Sequence, residues 1–286
     1  MSLNIRTNLA SLSAQRNLFL ATENLNSTYA RLSSGLRIVR AKDDAAGLSI
    51  AESLKSDIKL SSVAIRNAND GISIISITDA AIGQISSILT RLAELAEQSA
   101  NGVYDNSQRS ALQLEFSQLL SEVDRIAQTT TFNGLYLLSG GGTVTLQVGL
   151  DGTSLSQITY SGIEGTLQSL GLASGGGSHI YSIIGATNAN SQVASRSALD
   201  ALRSAIQTCN RQRGTLGSAE SRLEAAIRNL QSSRENFSKA ESAIRDADVA
   251  QEAAELARLT ILQQAATAVL AQANQQPSLA LQLLRG

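Results

Sequence analysis

Apolar residues recur every seven positions near the start of the chain, at Leu18, Leu25, Leu32 and Val39. A seven-residue apolar repeat is typical of helices that pack side by side along a seam. The repeat therefore predicts an amphipathic helix in the N-terminal flank.

A longer seam with alternating spacings of four and three follows Asp43-Asp44. Its members are Leu54, Ile58, Ser61, Ile65, Ala68, Ile72, Ile75, Asp79, Ile82, Ser86, Leu89, Ala93 and Ala96. Such a run of about six heptads is long for one globular helix. A carboxylate of Asp43 or Asp44 is predicted to cap the helix by accepting from its free N–H groups. Asn101-Gly102 is predicted to end it.

A second helix is predicted to begin at Asp105, because Gln108 three residues later completes a capping box.

The C-terminal flank has a seven-residue repeat of its own. Its apolar line consists of Leu202, Cys209, Leu216, Leu223, Leu230, Phe237 and Ile244. A companion line mixes apolar and charged residues: Ile206, Arg213, Glu220, Ile227, Arg234 and Glu241. Polar groups at seam positions fix register and choice of partner.

A last helix carries Leu256, Leu259, Ala266, Leu270 and Ala273 along one face. Pro277 is predicted to stop this helix, because proline lacks the backbone N–H that a helix interior uses.

The centre of the chain differs in kind: only Asp151 and Glu164 are charged between positions 126 and 195, and glycine is frequent. The run 135–138, the glycines at 140–142 and the alternating run 143–148 predict a β-hairpin. Further short strands are predicted at 158–160 and 180–184, and a loop tip at the glycines 175–177.

Each long amphipathic helix must bury its stripe, and the helices of the other flank are the natural partners. The sequence therefore predicts a mainly α fold: a long coiled-coil-like bundle of the two flanks, with a small β region projecting at its far end. The terminal segments 1–40 and 245–286 have apolar stripes that few neighbours within the chain can cover. Uncovered stripes indicate an interaction surface, and so a self-assembling subunit.

Composition argues against catalysis and against nucleic-acid binding. The 286 residues contain one Cys and one His, and the formal net charge is -1. A single cysteine excludes an intramolecular disulfide framework and a multi-Cys metal site, and near-neutral charge lacks the cationic footprint of a nucleic-acid binder. No cofactor, catalytic or metal site is predicted.

The individual candidates for chemistry have simpler explanations. Cys209 lies on an apolar line and is predicted to be a packed core thiol. His179 follows a glycine-rich turn with no paired acid nearby, so it is predicted to be a loop residue. Asp246 and Asp248 lie near a helix boundary, where capping is a simpler role than metal binding.

The chain start shows no basic region followed by an apolar run, so no cleavable signal peptide is predicted. No stretch approaches the roughly 20 apolar residues that cross a bilayer, so no membrane insertion is predicted.

Several segments at both ends closely resemble bacterial flagellin. In the N-terminal half they are LSSGLRI at 32–38, AKDDAAG at 41–47, RNANDGIS at 66–73 and LAEQSAN at 95–101. In the C-terminal half they are AIRDAD at 243–248, ILQQA at 261–265 and VLAQANQ at 269–275, with Leu283-Leu284-Arg285 resembling the family's C-terminus. The resemblance covers roughly 1–150 and 190–286, and the short centre matches no particular member.

The resemblance implies a flagellar filament subunit whose partner is itself. It assigns 1–42 and 243–286 to inner-tube helices, 43–140 and 190–242 to outer-tube helices, and 141–189 to a short variable centre facing solvent. Extracellular localisation, contact with the flagellar cap and with hook-associated junction proteins, and type III export without a cleaved signal are implied in the same way.

A cytosolic export chaperone is also implied, holding the C-terminal apolar segment until export. The residues assigned to chaperone binding and inner-tube assembly are Leu256, Leu259, Leu262, Leu270, Leu283 and Leu284.

In receptor-active members, a vertebrate flagellin-sensing Toll-like receptor reads an Arg, a Leu four residues later and a Glu on the next helix. Arg91, Leu95 and Glu115 occupy these places. Ala93 and Glu97 depart from the flanking pattern, which implies weaker recognition.

Two alternatives stay open. A hook–filament junction adaptor shares related terminal helices, and indefinite self-polymerisation would separate it from a filament subunit. An enzyme using the centre is the alternative from another class, although a neutral, glycine-rich segment offers it few reactive groups.

Overall fold

The computed structural model describes residues 7–140, 142–174 and 179–283, with side chains as far as residue 276. The helices are α1 (Leu9–Ser34), α2 (Ala45–Ala100), α3 (Asn106–Thr129), α4 (Asn188–Arg245) and α5 (Val249–Leu283). The strands are β1 (Thr131–Phe132), β2 (Leu135–Tyr136), β3 (Val144–Gln147) and β4 (Gln157–Tyr160). The predicted mainly α class is confirmed.

The chain divides into two compact units. We call the part up to Ile58 together with the part from Glu235 onward the terminal unit, and Lys59–Arg234 the central unit. Helices α2 and α4 each contribute residues to both.

In the terminal unit, α1 and α5 pair in antiparallel directions. Gln263 Nε2 donates to Thr22 Oγ1 at 3.3 Å in the middle of the pair. Further along, Arg31 Nε lies 2.8 Å from a carboxylate oxygen of Glu252. This ion pair is mostly shielded from solvent, so it fixes register more than an exposed pair would.

Helix α1 ends at Ser34 because Gly35 adopts a left-handed conformation with φ of 70°. Its N–H donates to the Arg31 carbonyl at 2.8 Å, which closes the last turn. Val39 therefore lies outside the helix, although the seven-residue repeat continues to it.

Two of the predicted caps are confirmed in the terminal unit. Asp44 Oδ1 accepts from Gly47 N at 2.9 Å at the start of α2. Asp43 Oδ2 instead accepts from the backbone N–H groups of Val39 and Arg40, which precede the helix. Asp248 Oδ1 accepts from Ala250 N at 2.9 Å at the start of α5. Both carboxylates also suit the positive end of a helix dipole.

The prediction that Pro277 stops the last helix is wrong, because α5 continues to Leu283. Proline has no N–H, so the Ala273 carbonyl one turn earlier lacks its usual helical donor. Asn8 Nδ2 donates to that carbonyl at 2.8 Å. Tertiary contact thus replaces the missing helical hydrogen bond.

In the central unit, residues of α2, α3 and α4 bury a continuous apolar core. Its largest fully buried apolar side chains on the helices are Ile75, Ile82, Ile85, Leu89, Leu92, Leu95, Phe116 and Leu120. From α4, Leu202, Cys209, Leu216 and Leu223 of the predicted seven-residue line join the same core. The helix–helix seam inferred from the spacing is therefore the core of this unit.

The predicted pairing of the β-hairpin is wrong. β1 pairs with β2 across Asn133-Gly134, and both turn residues have positive φ, 48° and 79°. β3 pairs instead with β4, in a register that sets Thr145 opposite Thr159. The strand predicted at 158–160 is confirmed within β4, whereas the segment 180–184 forms no strand. The glycines predicted as a loop tip, 175–177, lie outside the described residues.

The centre of the chain does not project from the helices. Val148, Ile158, Ile163, Leu172 and Ile183 belong to the same buried core as α2, α3 and α4. Gly71 of α2 leaves the space that the Leu146 side chain of β3 fills. Because the centre has its own apolar side chains, burying them against the helices is more favourable than exposing them.

Two polar seam positions pair across the central unit. Arg213 of α4 donates from Nε and Nη2 to the two carboxylate oxygens of Asp79 of α2, at 2.8 and 3.0 Å. The hydrogen bond and charge of Arg213 hold the pKa of Asp79 below its ordinary value. This bidentate pair fixes the register of two otherwise repetitive helices.

We expect Asp79→Asn to lower the free energy of unfolding by at most about 1 kcal/mol at pH 7, since the pair is partly exposed. Because the folded pKa of Asp79 is lowered, its contribution is complete above the ordinary pKa and is lost as the pH falls through the folded pKa. Urea unfolding of the monomer at a series of pH values should show the variant and the parent converging in acid. An equal difference at pH 7 and in strong acid would contradict this account.

Candidate assembly surface

The outer face of α1, turned away from α5, carries large exposed apolar side chains. They are Leu9, Leu12, Phe19 and Leu20, each at least 49% exposed. On the opposite face, Ala14 and Leu25 are buried against α5. Helix α1 therefore has two apolar faces, and within the described chain only one of them is covered.

The predicted leucines of α5 divide between a covered and an uncovered side. Leu259 is buried and Leu256 and Leu270 are half-buried, whereas Leu262 is exposed. The side chain of Leu283 and all of Leu284 lie outside the described residues. α5 therefore has apolar side chains on the side that packs on α1 and also on its exposed side.

A groove of about 400 Å³ runs along the α1–α5 pair. Ala14 and Ala21 alternate with Asn17 and Asn24 on its α1 side, and the residues of its α5 side include Leu262 and Val269. Alanine and asparagine side chains on one wall and larger apolar side chains on the other leave a space that inserted side chains could fill.

The structure brings Arg91 and Glu115 together but not Leu95. Arg91 Nε donates to Glu115 Oε1 at 2.9 Å, and its Nη1 donates to Glu94 Oε2 at 3.0 Å. The hydrogen bond that Arg91 donates to Glu94, and then the one that it donates to Glu115, raise the pKa of the exposed Arg91 guanidinium. Leu95 is only 1% exposed and belongs to the core of the central unit.

Arg109, which the sequence analysis overlooked, is fully buried. Its Nε and Nη2 donate at 2.9 Å to the carbonyls of Ser99 and Asn101, at the C-terminal end of α2. Nη1 donates to Asn188 Oδ1 at 3.1 Å at the start of α4. The positive charge therefore lies at the negative end of the α2 dipole. Arg109 lies seven residues before the buried Phe116, and this spacing, which puts both on one face of α3, was the available signal.

Further hydrogen bonds next to Arg109 involve Ile183, in the segment that precedes α4. Ser99 Oγ donates to the Ile183 carbonyl at 2.8 Å, and Ser195 Oγ donates to Ser99 Oγ at 3.0 Å. Gln113 Oε1 accepts from Ile183 N at 2.8 Å. These bonds fasten the segment before α4 to the start of α3 and the end of α2, where the predicted capping box of Asp105 and Gln108 is confirmed.

The side chains considered for chemistry have structural roles. Cys209 is buried, and burial raises the pKa of its thiol to about 11. Asp246 accepts from Ser242 Oγ at 2.6 Å. No cluster of three or more metal-ligating side chains occurs among the described residues.

By length and composition alone, α2 contains a stretch apolar enough to cross a bilayer, where the sequence analysis predicted none. Of that stretch, 33% is buried within the protein. A buried core helix meets the same criterion, so the observation is weak evidence for a span.

Comparison with known proteins supports the resemblance at both ends of the chain. Residues 5–143 match the bacterial flagellin N-terminal helical region, and residues 199–284 match the bacterial flagellin C-terminal helical region. The chain belongs to the bacterial flagellin family.

Curated relatives agree over nearly the full length. A flagellin of Halalkalibacterium halodurans is 41% identical over 98% of this chain and 99% of its own length. The flagellar filament 33 kDa core protein of Treponema phagedenis is 38% identical over the same shares of both chains. The alignments with these relatives therefore include the short centre.

A putative flagellar hook-associated protein from Vibrio parahaemolyticus has a similar fold. Its structure aligns with a TM-score of 0.58 at 14% identity, covering 71% of this chain and all of its own. At this identity the likeness concerns the fold alone. The filament-protein relatives match over nearly their full length, and nothing observed favours the junction adaptor.

Proposed function

We propose that the terminal unit carries contacts through which copies of this chain assemble into the flagellar filament. As a bacterial flagellin, the chain is a structural subunit that polymerises with itself, and the filament is extracellular. The observation that carries the proposal is the exposed apolar outer face of α1. An exposed stripe of this size marks an interaction surface, and in a homopolymer the partner is another copy.

Residues 1–42 and 243–286 would then line the inner tube, and 43–140 and 190–242 would build the outer tube. Residues 141–189 would form the variable region, with its exposed side facing solvent. The pairing of α1 with α5 and the separate core of the central unit support this division.

Electron microscopy of the purified chain, with and without residues 245–286, tests the assembly proposal. On addition of filament seeds or a precipitating salt, we expect long tubes from the full chain and none from the truncated chain, because truncation removes α5 and uncovers the inner face of α1. Circular dichroism should show that the truncated chain keeps a folded central unit. A full-length Leu155→Ser variant is the control, since this residue of the centre is 95% exposed and outside the terminal unit.

Tubes from the truncated chain would contradict assembly through the terminal unit. Short caps or no polymer from the intact chain would instead favour the hook–filament junction adaptor.

Export proceeds, in this proposal, through the flagellar type III apparatus without a cleaved signal peptide. A cytosolic chaperone would hold the α5 segment containing Leu256, Leu259, Leu262 and Leu270, together with Leu283 and Leu284. The exposure of Leu262 and Ile261 supports the need for such shielding before assembly. The cap and junction proteins would contact the terminal unit at the two ends of the filament.

Recognition by the vertebrate flagellin-sensing receptor would rest on Arg91 and Glu115, with Leu95 supporting the α2 backbone from inside. We expect Arg91→Ala to weaken activation at least about tenfold, because an interfacial arginine is a typical hot spot. Dose–response curves in receptor reporter cells measure this. Arg125→Ala is a matched control, since Arg125 is also exposed and pairs with Glu122 three residues earlier. Silent cells at saturating parent monomer would refute receptor recognition.

The chain would have no enzymatic activity and no cofactor. The buried thiol of Cys209 supports this, since a thiol with a raised pKa is a poor nucleophile. A hydrolase screen of the purified chain is expected to be blank.

A further inference from the structure

The outer face of α1 presents three exposed side chains in one line. Leu12 and Phe19 are seven residues apart, and Glu23 follows after four more. At 3.6 residues per turn, all three point within about 40° of one another. Leu12 is 58% exposed and Phe19 67% exposed, and the exposed carboxylate of Glu23 lies 3.9 Å from Lys42 Nζ.

The α1–α5 groove presents a second line with the same spacing in the reverse chain direction. Val269 and Leu262 are seven residues apart, and Arg258 precedes Leu262 by four. These three side chains also point within about 40° of one another. All three are exposed and line the groove.

The two lines match in spacing when their helices are antiparallel. A separation of seven residues is about 10.5 Å along a helix, and four residues add about 6 Å. Each apolar residue of the first line then faces an apolar residue of the second, and the carboxylate of Glu23 faces the guanidinium of Arg258. Apolar contact and charge complementarity therefore select the same register.

We infer that the α1–α5 groove receives helix α1 of a second copy of this chain. In this contact Leu12 of the incoming copy packs on Val269, its Phe19 packs on Leu262 between the alanines of the groove, and its Glu23 pairs with Arg258. The inference rests on the proposed assembly through the terminal unit and specifies which surfaces meet. Because the donated face and the groove are different surfaces, the contact is heterologous and repeats from copy to copy.

Charge reversal tests the Glu23–Arg258 pairing in the full-length chain. Glu23→Arg and Arg258→Glu should each slow seeded elongation at least about tenfold, because each places like charges together in the contact. The double variant should elongate within about threefold of the parent, because the pair is restored with reversed sign.

Two controls remove contacts within one copy without changing the proposed pair. Lys42→Glu removes the weak partner of Glu23, and Glu255→Gln removes the neighbour that Arg258 contacts on α5. Both should elongate like the parent. Circular dichroism of each monomer should be unchanged, since the substituted side chains are exposed.

Disulfide trapping tests the register independently. A Leu12→Cys chain co-polymerised with a Val269→Cys chain should cross-link on mild oxidation, whereas Phe19→Cys with Val269→Cys is displaced by about 10.5 Å and should not. The native Cys209 is buried and has a raised pKa, so it does not compete.

Failure of the double reversal to restore elongation, or equal cross-linking in both registers, would overturn this inference while leaving assembly through the terminal unit intact. Tubes from the chain lacking 245–286 would instead overturn the proposed function.

Discussion

Arg109→Met is expected to lower the free energy of unfolding of the central unit by about 3 kcal/mol. The methionine fills much of the space but donates no hydrogen bond, so the carbonyls of Ser99 and Asn101 and the amide oxygen of Asn188 lose their donor. Each such acceptor left without a partner in a buried site costs about 1 kcal/mol or more. The end of α2 also loses a positive charge that opposes its dipole.

Urea unfolding of the monomer followed by circular dichroism measures the change. Arg109→Lys should recover part of the loss, because it retains the charge but cannot reach all three acceptors with planar geometry. Arg125→Met removes an exposed arginine from the same helix and should leave the free energy of unfolding nearly unchanged. Equal stabilities for the Arg109 and Arg125 variants would contradict a structural role for the buried guanidinium.

Hydrogen exchange of backbone amides measures the local effect of the Arg109 substitution. If Arg109 joins the three elements, its loss should accelerate exchange at Ile183 N, whose hydrogen bond to Gln113 depends on α3 holding its place. The amides of α1 in the terminal unit should keep their exchange rates.

The long helices were predictable because a seven-residue apolar repeat has one common structural solution. The same repeat extended past the end of α1, since Val39 continues the pattern after Gly35 has ended the helix. Periodicity reports which face is apolar, whereas a left-handed glycine determines where the chain turns. The caps at Asp44, Asp105 and Asp248 were predictable because they depend on local geometry alone.

Strand pairing was less predictable because a glycine run and a true turn look alike in sequence. The glycines at 140–142 suggested the hairpin turn, but Asn133-Gly134 provides the two positive φ angles that a two-residue turn needs. β3 pairs with β4 across a connection in which the Asp151 carboxylate accepts hydrogen bonds from the Thr153 and Ser156 hydroxyls. A connection of this kind has no strong sequence signature.

The assembly surface was predicted in outline and not in detail. Uncovered apolar stripes at both ends indicated self-association, and family membership confirms a filament subunit. Which side of α1 remains exposed depends on its pairing with α5, as Ala14 and Phe19 lie on opposite faces. For the same reason, Leu95 could be aligned with a receptor motif but not recognised as buried.

Asn8, which is distant in sequence, donates to the α5 carbonyl that Pro277 leaves without a helical donor, and this contact can be tested directly. Asn8 has two roles: its Oδ1 accepts from Ser11 N at 3.0 Å and caps α1, and its Nδ2 donates to the Ala273 carbonyl. Ser11 Oγ donates to Asn274 Oδ1 at 2.7 Å beside it. The start of α1 is thereby held at the point where α5 lacks a helical donor.

Asn8→Asp separates the two roles, because a carboxylate still caps the helix but cannot donate to a carbonyl. We expect a loss of about 1–3 kcal/mol in the pairing of α1 with α5, the cost of a carbonyl left without a donor and now facing a carboxylate. The melting temperature of the filaments and amide exchange in α5 measure it. Aspartate favours a helix start at least as well as asparagine, so weaker capping cannot explain such a loss.

Pro277→Ala provides the matched background for this substitution. Alanine restores an N–H that can donate to the Ala273 carbonyl within α5, so the penalty of Asn8→Asp should fall to well under half of its value in the parent chain. If the penalty is the same in both backgrounds, Asn8 does not act through the carbonyl that Pro277 leaves without a donor. A reduced penalty would mean that the proline makes the α5 backbone depend on α1, so that the C-terminal helix is completed by the N-terminal one.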